Sequence, residues 1–117
     1  MLDNKIASLE RYERFIERVK KSSEVWGLKN SDGWCVSHSN NHDDVEVMLF
    51  CSDRAYAQQC AKEEWVNYTP TPIDLTEFVT RWLSGLAKDG LLVGTNWNAQ
   101  LIGEEVEPLV LKEKLGN

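Results

Sequence analysis

The chain has 117 residues, 42% of them hydrophobic and 27% charged, the size and balance of one globular domain with one ordinary core. Its net charge of −6 is unevenly spread: residues 1–30 hold seven Lys/Arg against five Asp/Glu, and the remainder hold six against fourteen. The acidic body argues against a sequence-independent nucleic-acid binder, and no apolar run approaches the ~18 residues that cross a bilayer. With no apolar signal core behind Met1, the expected location is the cytoplasm.

From Asp3 to Ser22, apolar side chains fall at Ile6, Leu9, Tyr12, Phe15, Ile16 and Val19, the three- and four-residue spacing of one helical stripe. Arg11, Arg14, Arg18, Lys20 and Lys21 alternate there with Glu10, Glu13 and Glu17, which predicts a solvated face laced with ion pairs rather than a nucleic-acid patch. Val25-Trp26-Gly27-Leu28 and Trp34-Cys35-Val36 are joined through Asn30-Ser31-Asp32-Gly33, and Asp-Gly supplies the turn of a β-hairpin. Ser37 to Asp44 is a polar loop. Val45 to Cys51 is apolar on both alternating faces towards its end and reads as a central strand.

Ser52 is the expected cap of a helix from about Asp53 to Trp65, with Ala57, Cys60, Ala61 and Trp65 inward. Asn67 to Pro72 is an extended connector, because each proline disfavours the α conformation in the residue before it. Thr76 opens a helix carrying Phe78, Val79, Trp82, Leu83 and Leu86, and Asp89-Gly90 stops it. Leu91 to Trp97 is a further strand, with Gln100 to Ile102 as a possible partner across Asn98-Ala99. Pro108 starts a short last helix through Leu109, Leu111 and Leu115.

The order is α-β-β-β-α-α-β-(β)-α over one domain, residues 1–117. Strands in a run, then helices, without βαβ alternation, predict an α+β fold. The expected sheet is antiparallel, of four to five strands centred on Val45 to Cys51, with helices packed mainly on one face.

Trp26-Gly27-Leu28, Asp32-Gly33-Trp34, the turn Phe50-Cys51-Ser52-Asp53, Trp65 with Tyr68 and Pro70, Phe78 with Trp82-Leu83, and Leu86 through Asp89-Gly90-Leu91-Leu92-Val93-Gly94 form a pattern in order and spacing. With it the chain, from about residue 5 to 111, resembles the bacterial family called domain of unknown function 2750. The resemblance implies a single-domain bacterial cytoplasmic protein and supplies no activity. Cys51 departs from the pattern, standing where the family is expected to carry Trp or another large residue.

His38 and His42, followed by Asp43 and Asp44, crowd nitrogen and oxygen ligands into seven residues. A metal needs about four fixed ligands, and a polar loop without a second cluster does not close a tetrahedron, so neither metal nor cofactor is expected. Cys35, Cys51 and Cys60 are odd in number, lack CxxC spacing and sit in apolar runs, which predicts reduced core thiols. The paired carboxylates Asp43-Asp44, Glu63-Glu64 and Glu104-Glu105 read as solvated charge.

Five tryptophans, Trp26, Trp34, Trp65, Trp82 and Trp97, are the most unusual feature of the composition, and indoles serve cores and binding surfaces alike. The expected function is a non-catalytic protein-binding or regulatory module, monomeric or homodimeric, with Trp65, Tyr68, Pro70, Trp82 and Trp34 bordering its groove. The alternative is a small hydrolase using His38 or His42 with Asp43 or Asp44.

Overall fold

In the computed structural model, which describes residues 5–62 and 65–116, the apolar stripe seats α1 (Lys5–Ser22) on a sheet through buried Phe15 and Val19. The hairpin forms as expected: β1 (Glu24–Asn30) turns at Asn30, whose side-chain oxygen accepts from the backbone N–H groups of Asp32 and Gly33. It returns as β2 (Gly33–Trp34) and, after Cys35, as β3 (Val36–His38). Trp34 thus stands on the strand after the Asp32-Gly33 turn. β4 (Glu46–Cys51) follows, then α2 (Arg54–Cys60). Asp53, not Ser52, caps α2: its side chain accepts from the N–H of Tyr56. The helix closes at Cys60, short of the expected Trp65; Glu63 and Glu64 lie outside the described residues.

The segment read as a connector is a strand, β5 (Thr69–Asp74), paired with β1 along Glu24 to Lys29. Its prolines are compatible with an edge: Pro has no N–H to give the ladder, so Pro70 and Pro72, two apart, leave the inward donors to their neighbours. Asp74 then caps the next helix through the N–H of Glu77, the role expected of Thr76. That helix begins as α3 (Leu75–Glu77), widens into a π-helical turn (Phe78–Trp82) and ends as α4 (Leu83–Lys88). Gly90, at φ +76°, makes the left-handed exit. β6 (Leu92–Thr95), β7 (Glu104–Val106) and α5 (Pro108–Leu115) complete the described chain. The partner of β6 is therefore β7, a few residues beyond the expected Gln100 to Ile102.

The fold is α+β with a mixed sheet of seven strands among the described residues. Because β5 occupies one side of β1, β4 and β2 share the other: β4 takes Trp26 and Gly27, β2 takes Lys29 and Asn30. β3 continues the wedge onto β4, and β6 lies on the far side of β4, followed by β7. β4 is central, as expected, and β5 and β7 are the edges. Five pairings are antiparallel; β4 and β6 run parallel, because the chain crosses over through α2, β5 and the 75–88 helix before returning. No helix among the described residues is long and apolar enough to cross a membrane.

Alternation sorts the strands onto two cores. Val25, Phe50 and Val93 meet Phe15, Phe78, Leu83, Leu86, Leu111 and Leu115, so α1, the 75–88 helix and α5 share one face. Leu28, Val47, Leu49 and Cys51 meet Ala57, Cys60, Trp65 and Trp97 on the other, where α2 packs. Trp97 is fully buried over Gly94, where an added Cβ would stand 2.7 Å from its ring, and its indole N–H donates to the carbonyl of Glu104.

Candidate binding site

The structure divides the five residues singled out as a binding surface between the two faces. Trp65 is buried and meets Tyr68 edge-on at 6.4 Å on the α2 side, beside buried Pro70. Trp34 and Trp82 lie on the opposite face, centroids 4.8 Å apart and planes at 89°. The sheet therefore stands between Trp65 and Trp82, and they do not wall one groove. Trp34, Tyr68 and Trp82 keep a solvent-facing part; Trp65 and Pro70 pin β5 and its approach to the core.

Trp34 has its place because β1 carries glycine beneath it: a Cβ on Gly27 would come 2.8 Å from the indole. Lys29 sits over the same ring at 5.1 Å, within cation–π reach. Trp82 closes the π-helical turn and also meets Phe50 at 5.7 Å. Such turns are rare and often mark functional positions. Val79, three residues ahead of Trp82, faces α5.

There the surface opens. Leu111 and Leu115 of α5 are buried, but Leu109 and Val110 are 56% and 46% exposed. A hollow of about 280 Å³ lies on one side of Leu109, lined by Ala87, Leu91, Leu92, Pro108 and Val110 among others. A second hollow, of about 420 Å³, lies between Leu109, Val79 and Lys112. Lys112 is tethered by donating to Ser84 Oγ at 3.0 Å, which fixes α5 against α4. The arrangement presents two aliphatic side chains on a helix with concave ground on either side, suited to apolar contact rather than to bond-making chemistry.

Sequence reading carried the last helix through Leu109, Leu111 and Leu115 without assigning Leu109 or Val110 to a face. The signal that does so was present: Pro108, Leu111 and Leu115 make one stripe at three- and four-residue spacing, which turns Leu109 and Val110 away from it.

The His38–Asp44 loop is built by Ser39, whose hydroxyl accepts from the N–H groups of Asn41 and His42 and donates to Glu105. His38, His42, Asp43 and Asp44 are all exposed, so the loop does not desolvate the groups that acid–base chemistry would use. No group of three or more His, Cys, Asp or Glu among the described residues could hold a metal ion.

Cys35, Cys51 and Cys60 are buried and free, and share the α2-side core. Burial, followed by the neighbouring Cys60, pushes Cys35 up to about 12. Burial pushes Cys60 up to about 11, against the lowering pull of Lys62 and Arg11, and Cys51 rises well above the usual thiol value. Thiols held neutral are poor nucleophiles and poor ligands.

No curated protein and no solved structure matches the chain significantly. One family model does, over residues 12–115, which takes in β1 to β7 and the helices between them. The chain therefore belongs to the family described as protein of unknown function (DUF2750).

Proposed function

We propose that this protein is a non-catalytic protein-binding or regulatory module of a bacterial cytoplasm, and that it offers the exposed side of α5 to apolar side chains of a protein partner. The observation that carries the reading is the exposure of Leu109 and Val110 between two hollows. A partner that buried these two side chains would remove apolar area from water at about 25 cal/mol per Å², with the hollows receiving its own anchors. The half-buried Trp82 and Trp34 extend the candidate surface away from α5 through the turn that carries Val79.

The sheet edges favour this helix over strand addition. β5 carries two prolines, and β7 is three residues long with Glu104 and Glu105. Both are devices that discourage edge-to-edge pairing.

Affinity capture from the native host with the wild-type chain and with Leu109→Asp as baits tests the reading. Leu109 is exposed, so the variant keeps its stability within ~0.5 kcal/mol. A stoichiometric protein captured by the wild type and lost by the variant supports the proposal. A partner retained equally by both contradicts it.

A further inference from the structure

β4 and β6 are the parallel pair of this sheet, so their carboxyl ends stand side by side. Those ends are Cys51-Ser52-Asp53 and Thr95-Asn96 here, and they are locked together. Asn96 is fully buried at φ +47°, a conformation that non-glycine residues seldom adopt. Its N–H donates to the carbonyl of Phe50 at 3.0 Å, and its carbonyl accepts from Arg11 Nε at 2.9 Å. Its Oδ1 accepts from the N–H of Ser52 at 2.7 Å, while its Nδ2 donates to Ser52 Oγ at 3.0 Å and to the carbonyl of Arg11 at 3.4 Å. Strain held by so complete a set of bonds is typical of preorganised sites.

Around this junction the cations of α1 gather on one flank. Arg11, Arg14, Arg18 and Lys21, at spacings of three and four, share a stripe, whereas Glu10, Glu13 and Glu17 turn further towards solvent. The arginines reach across to other elements, which departs from the expected pairing along the helix. Arg14 Nη1 donates to Tyr56 Oη at 2.7 Å and Arg18 Nη1 to Asp53 Oδ2 at 2.9 Å. Two hollows flank the Arg18–Asp53 pair: about 320 Å³ between Arg11, Arg18, Asp53, Tyr56 and Gln59, and about 280 Å³ between Arg18, Lys21, Ser22, Ser52 and Asp53. Their lining holds three cations (Arg11, Arg18, Lys21) and one carboxylate (Asp53), a local balance of +2 in a chain of −6.

We propose that this crevice is a binding site for a compact dianion of the phosphate-monoester class, held by Arg18, Arg14 and Lys21 with the hydroxyl of Tyr56. The Arg18–Asp53 pair does not obstruct it. With side chains 48% and 35% exposed the pair is a weak, solvent-screened one, and Asp53 keeps its capping bond to Tyr56 and its bond from Ser52 Oγ when Arg18 turns to the ligand. A planar guanidinium matches two phosphate oxygens at once, which distinguishes this site from a diffuse basic surface.

Titration of the ¹⁵N-labelled full chain with inorganic phosphate, at ionic strength held constant with sodium chloride, tests the proposal. The expected result is saturable movement of the Ser52, Asp53, Tyr56 and Gln59 amides with a Kd of about 1 mM or tighter, weakened at least ~10-fold in Arg18→Gln and unchanged in Lys29→Gln. Absence of saturable shifts in the wild type, shifts centred elsewhere, or equal affinity in Arg18→Gln would overturn it. The wild-type titration decides the matter even if Arg18→Gln fails to fold.

Discussion

Asn96 holds Ser52 twice, accepting from its N–H and donating to its hydroxyl, and so fastens the end of β6 to the end of β4. Neither residue is exposed to solvent enough for water to replace these bonds. Asn96→Ala strands the buried N–H of Ser52 and leaves a residue in left-handed backbone without the side-chain bonds to Ser52 and Arg11 that hold Asn there. A loss of ~3 kcal/mol is expected, read as a lower urea midpoint at unchanged slope. A change under ~1 kcal/mol would show that the junction is not a keystone.

Gly27 and Trp34 are matched as a gap and its filler. Gly27→Ala places a methyl 2.8 Å from the indole in the middle of a paired strand, so the ring and its edge contact with Trp82 have to move. We expect a loss of ~1–3 kcal/mol and a shift in tryptophan emission, with Gly85→Ala, which meets open space in a helix, as the neutral or stabilising control.

Much of the fold was legible because the local signals agreed. Phe15 and Val19 kept the helical period, Asp32-Gly33 supplied the turn, and Leu49, Phe50 and Cys51 were apolar on both faces because both faces of β4 are covered. β5 was hidden by Pro70 and Pro72, whose edge role exists only once β1 lies beside them. The parallel pairing of β4 with β6 was equally invisible, since it depends on a crossover of some forty residues rather than on either strand. Asn96 carries no pattern that announces a buried junction. Of the candidate surface, Trp82 and Trp34 were found from composition, whereas Leu109 and Val110 were not singled out, because the last helix was read as a run of leucines without its faces.

The cysteines give a prediction with a sign. Folding raises Cys35 to about 12 and Cys60 to about 11 from the usual 9.0, and Cys51 rises as well. Above about pH 9 the unfolded chain sheds these protons while the native state keeps them, so unfolding is favoured by alkali. The thiol contribution to stability is fully present below pH 9 and falls as pH rises through the native values. Denaturant midpoints measured from pH 7 to 10.5 should decline above pH 9, and less so in Cys35→Ser/Cys60→Ser referenced to its own value at pH 7. At pH 8 a disulfide reagent should label none of the three thiols in the native chain within minutes, and all three in denaturant; rapid native labelling would contradict their burial.

Hydrogen exchange of the protein alone and in complex with its captured partner tests the central claim most directly. Binding through the exposed side of α5 predicts slowed exchange in residues 108–115 and in the flanking stretches 79–83 and 87–92, with the His38–Asp44 loop unchanged. Protection confined to that loop, or to the β5 edge, with α5 exchanging as in the free chain, would contradict it.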